Sequence, residues 1–177
     1  MGRGNSGREA AKIALPALLT AIGLVLLYIS CILPSGRWAV IAIAGLCPAV
    51  AIVSTGVVGG SLTYAATAIL GFLLAPDKGS ILLYVLFFGL YPIIKFLIEK
   101  LKKLPVEILC KLVFFNIILT LFLMAFSAFF LPAMPEMIRG NRVLIYIAIN
   151  VVFLIYDFGF TKLMWFYTQR IAKAVRH

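Results

Sequence analysis

A chain of 177 residues that is 64% hydrophobic and 12% charged, with a mean hydropathy of +1.13, has too little polar surface for a water-soluble fold. Soluble domains carry about 25% charged residues, and at this length surface grows too fast relative to volume to hide so much apolar side chain. The net charge of +10 does not mark a nucleic-acid binder either, because no basic run is interleaved with aromatic residues as base stacking requires.

The chain opens with three short patterns that carry little. Gly2-Arg3-Gly4-Asn5-Ser6-Gly7 has dinucleotide-loop spacing, but no strand precedes it. Met1-Gly2 with Ser6 fits an acylation pattern that adds nothing to a chain already crossing a bilayer. The basic start and first apolar run resemble a signal peptide, yet run 11–33 is long enough to span and no small-residue cleavage site closes it. It is read as a retained helix.

Further apolar runs follow at 38–53, 57–74, 80–98, 106–131 and 143–168. Pro48 breaks the second, and Gly56, Gly59 and Gly60 loosen the start of the third. That pair is open to two readings, two kinked spans or one re-entrant hairpin, with two spans expected. The fold expected is an all-α integral membrane protein, a single domain over 1–177 with about six transmembrane helices.

Charge orients this bundle. Arg3, Arg8, Lys12, Lys95, Lys100, Lys102, Lys103, Lys111, Lys162, Arg170, Lys173 and Arg176 fall in one set of alternate gaps, and Arg37, Lys78, Arg139 and Arg142 in the other. Basic residues at span ends stay cytoplasmic, so both termini are expected in the cytoplasm and the chain in the plasma membrane.

Catalytic chemistry finds little to work with. The sole histidine is His177, and Cys31, Cys47 and Cys110 lack metal-ligand spacing. No nucleophile elbow, zinc-protease motif, paired carboxylates or phosphate loop is present. No enzyme, metal or cofactor is expected. The costly residues are Lys95, Asn116 and Asp157, placed by counting in the inner half of the membrane. A Lys95–Asp157 pair would lower their cost, either as an ion relay or as a packing contact. At the outer helix ends, Arg37, Trp38, Tyr84, Arg139, Tyr146 and Asn150 are candidates for a small-molecule pocket, with headgroup anchoring as the plainer reading of the aromatics. The outer basic residues outnumber Asp77 and Glu136, which favours an anionic ligand.

The first run carries Ala10, Ala14, Ala17 and Ala21 at spacings of three and four, one stripe of a helix. Small residues let another helix approach closely, within the bundle or from another protein. Six short-looped helices with this alanine-rich start, in Ala17-Leu-Leu-Thr-Ala21 and again in Ala10 and Ala14, resemble the S components of energy-coupling factor (ECF) transporters. Pro16 interrupts the stripe, and no vitamin-specific loop motif is present. The resemblance implies a substrate-binding membrane subunit that captures a vitamin-like micronutrient and docks Ala10, Ala14, Ala17 and Ala21 on a transmembrane coupling protein driven by two ATPases. The alternatives are a structural or assembly membrane protein without ligand, and a small ion-coupled carrier using Lys95 and Asp157.

Overall fold

A computed structural model describes residues 3–130 and 142–174, and every regular element among them is helical. Six helical stretches are long and apolar enough to cross a membrane, as in a multi-pass membrane protein: Lys12–Ile32, Arg37–Thr55, Val57–Leu74, Lys78–Glu99, Leu104–Met124 and Tyr146–Gln169. The chain divides into two compact units, one of Met1–Leu97 with Tyr167–His177, the other of Ile98–Phe166. Their outward side chains are apolar, with Ile13 75%, Leu73 73% and Ile155 68% exposed, the pattern of a surface solvated by lipid.

In the first unit, α1 (Arg3–Ile32) buries Pro16, Leu19, Thr20, Gly23, Leu27 and Ser30 along one stripe. That stripe includes the proline expected to interrupt the alanine face. Pro16 instead lies on the opposite, buried side, and α1 continues through it. Its ring removes one helical hydrogen bond, and its own carbonyl accepts from the Thr20 hydroxyl at 2.9 Å and the Thr63 hydroxyl at 3.5 Å.

The second run forms α2 (Arg37–Ala44) and α3 (Leu46–Thr55), joined at Gly45. Pro48 cannot donate to the Ala44 carbonyl, which accounts for a bend there. Gly45 nonetheless keeps its bond to the Ile41 carbonyl at 3.0 Å, so the pair reads as one bent span. At Gly56 the backbone takes φ 86°, a region favouring glycine, and α4 (Val57–Leu74) begins at the next residue. With 19 and 18 residues on either side of that turn, both runs have spanning length. Their length and composition are those of two membrane-crossing helices.

The buried stripe of α4 is Gly59, Gly60, Thr63, Thr67 and Gly71, all small, and the helix packs on α1 and α3. Beyond it, α5 (Lys78–Leu83) runs into a π-helical turn, Tyr84–Phe88, before α6 (Tyr91–Glu99). Leu27, Ile41, Ala44, Ala75, Ile81 and Tyr84 form the core of this unit.

The second unit is dominated by α7 (Leu104–Phe130) and α8 (Arg142–Ala174). Among the described side chains of α7 the buried positions are Lys111, Phe115, Leu119 and Phe122, a helical stripe that a lysine shares with three apolar residues. On α8 they include Phe153 and Phe160, one heptad apart.

Candidate functional site

The most polar constellation in the described chain lies where α7 faces α8. Asn116 and Asn150 bond reciprocally, each side-chain amide donating to the other's oxygen at 3.0 Å. Each amide nitrogen spends its second hydrogen on its own helix, Asn116 on the Leu112 carbonyl and Asn150 on the Tyr146 carbonyl, both at 2.8 Å. All four N–H groups are committed. One turn away, the Thr120 hydroxyl donates to the Asn116 carbonyl at 2.7 Å and lies 2.8 Å from the Tyr146 hydroxyl. Its single proton is spent, so Tyr146 is the donor to Thr120.

In the other direction Phe115 and Phe153 stack at 4.2 Å, and beyond them comes charge. The Lys111 ammonium lies 2.9 Å from a Glu99 oxygen and 3.3 Å from an Asp157 oxygen. Its side chain is 9% exposed, that of Asp157 18% and that of Glu99 40%. A lysine in an apolar stripe is costly unless paired, and here two carboxylates pair it.

These contacts revise several expectations. Asn116, expected in the inner half, and Asn150, expected near the outer ends, are directly bonded to each other. Asp157 has a partner in Lys111, which the sequence reading assigned to the basic flank. Lys95, also expected among the costly residues, is buried with its ammonium 5.9 Å from the Tyr91 ring centre. Glu99 and Lys111 were both missed as site residues. The recoverable signal was the four-residue step from Lys111 to Phe115 and on to Leu119.

The expected pocket residues fall in both units. Tyr146 and Asn150 belong to the second and are engaged as above, while Arg139 lies outside the described residues. Arg37, Trp38 and Tyr84 belong to the first. Trp38 is half exposed, as an interfacial aromatic would be. Arg37 bonds Asp77 at 3.4 Å. Asp77 also caps α5, accepting from the Gly79 and Ser80 amides at 3.1 and 3.3 Å and from the Ser80 hydroxyl at 2.6 Å. The Ser80 hydroxyl foremost, with those amides and the Arg37 guanidinium, holds this carboxyl below its ordinary range against the opposing effect of partial burial. Lys78 reaches back to the Phe72 and Ala75 carbonyls at the end of α4. Arg37 and Lys78 thus both serve helix ends.

Tyr84 is fully buried in the core. The Thr67 hydroxyl is its polar neighbour, but the two oxygens miss hydrogen-bond geometry and each is left without a partner. Its ring is 6.1 Å from that of Tyr64, whose hydroxyl donates to the Val85 carbonyl inside the π-helical turn at 2.9 Å. Gly89 faces this pair, and a Cβ there would come within 2.6 Å of the Tyr84 ring. Tyr84 is thus packed into the core of the first unit.

The alanines are the reverse case. Ala10, Ala14, Ala17 and Ala21 are all exposed, while the opposite face of α1 does the packing within the unit. No cluster of metal-ligating residues occurs among the described residues. Searches of protein-family models, curated proteins and solved structures returned no match.

Proposed function

We propose that this chain is the substrate-binding membrane subunit of an uptake system for a small, vitamin-like micronutrient, resembling the S components of ECF transporters. It binds no nucleotide and works with a separate module of one transmembrane coupling protein and two ATPases. The observation that carries this reading is the outward alanine stripe of α1. A helix buried on its Pro16 side and bare on its Ala17 side is ready to seat a second helix. The basic residues in alternate gaps support a plasma-membrane location with both termini cytoplasmic. The ligand enters from the end of the first unit that carries Arg37 and Trp38.

The test is uptake of a radiolabelled panel of vitamins by cells producing the chain with its coupling module. Wild type accumulates one compound, and Ala17→Trp abolishes accumulation while the purified variant still retains that compound. Normal accumulation by Ala17→Trp removes the coupling face from the reading. A second reading, an ion-coupled carrier, is favoured by the charged cluster of Lys111, Glu99 and Asp157. It requires pH- or ion-dependent flux in liposomes that Asp157→Asn eliminates, and flux unchanged by that substitution removes it.

A further inference from the structure

The first unit holds a groove of about 270 Å³ between the ends of α1 and α4, walled by Leu24, Val25 and Tyr28 on one side and Gly71, Leu74 and Ala75 on the other. Val25 and Leu74 are 59% and 65% exposed, so the groove opens along the surface that faces hydrocarbon. Its walls offer a small polar ligand almost nothing to bond. Its end differs from its walls. Ala75, the last wall residue, accepts from the Lys78 ammonium at 2.9 Å, and Lys78 also bonds the Phe72 carbonyl. An ammonium has three donors, so one remains for an acceptor outside the protein, and Lys78 is exposed. The adjacent Asp77 carboxylate would repel an anion, but it is held by Ser80, Gly79 and Arg37. Two cations and one carboxylate leave this corner net positive.

We propose that the groove is a binding site for one anionic phospholipid. An acyl chain lies between α1 and α4, and the phosphodiester takes the remaining Lys78 donor. Tyr28 sits at headgroup level beside it. The occupant is a structural lipid of the first unit and is independent of the transported compound.

Protein reconstituted in nanodiscs of phosphatidylcholine with phosphatidylglycerol, then extracted for native mass spectrometry, tests this. Wild type is expected to retain one phosphatidylglycerol in preference to phosphatidylcholine. Lys78→Gln lowers that preference roughly fivefold, the worth of one basic residue at an anionic headgroup. Lys78→Arg keeps it. Val25→Trp, at an outward position that leaves the core intact, fills the groove and loses the lipid. Equal retention of both lipids by wild type overturns the proposal, as does phosphatidylglycerol retention that survives Val25→Trp.

Discussion

In the first unit, α4 meets its neighbours through a stripe of small residues; in the second, α7 and α8 meet through side chains that bond each other. The small stripe of α4 lets backbones approach closely, and Gly45 lies so near the π-helical turn that a Cβ there would come within 2.4 Å of the Phe88 carbonyl oxygen. Between α7 and α8, by contrast, the contacts run from hydroxyl pair to amide pair to aromatic stack to ion cluster. Lipid supplies no hydrophobic force between helices, so association rests on close packing or on polar pairing. The two units weight these means differently, although the first also holds bonds such as that of Tyr64 to the Val85 carbonyl. The lesson concerns function as well. Residues that look like ligand donors in sequence, Asn150 and Tyr146, are already bonded to Asn116 and Thr120, whereas residues that look inert, the alanines of α1, are the ones left facing outward.

The contrast can be broken most severely at Gly45. Gly45→Val forces the α2–α3 bend away from Phe88, and overpacking of this kind costs about 3 kcal/mol. Loss of a monodisperse peak in size exclusion is the expected result. Next comes Lys111→Met, which removes the ammonium 2.9 Å from Glu99 and 3.3 Å from Asp157 and costs about 2–3 kcal/mol, as breaking a buried ion pair does. Adding Asp157→Leu recovers much of that loss, measured by unfolding in bicelles. A smaller effect, about 1 kcal/mol, is expected for Asn150→Leu, because membrane hydrogen bonds between helices are individually modest. The same substitution in the vitamin uptake assay leaves ligand retention unchanged.

The smallest effect belongs to the corner of the first unit. Asp77→Ala removes the α5 cap at a cost of about 1 kcal/mol near neutral pH. The folded Asp77 carboxyl titrates below its ordinary range, so its stabilisation is complete above the unfolded value, about pH 4. It disappears as pH falls through the lower folded value. Thermal melts of wild type and Asp77→Ala should therefore converge in acid and separate on neutralisation.

The spans were legible because apolar length and breaker residues are local properties, and the tight turn at Gly56 lies where the glycines mark it. Pairing was not. Lys111 sat near other lysines in the sequence and was counted with them, although its four-residue step to Phe115 put it in the buried stripe. That Asn116 meets Asn150 depends on which faces α7 and α8 turn to each other, which counting residues from a span end does not supply. Tyr84, a pocket candidate in sequence, is buried in the core, and the π-helical turn that begins at it has no sequence signature comparable to a glycine or proline.

The bare face of α1 carries the functional reading, and a photo-crosslinking amino acid at Ala17 probes it most directly. It would be compared in native membranes with the same probe at Ile69, an exposed position on α4. Capture at Ala17 of an integral membrane protein that itself binds a pair of ATPases, with only lipid adducts at Ile69, is the expected result. Lipid adducts alone at both positions would contradict it.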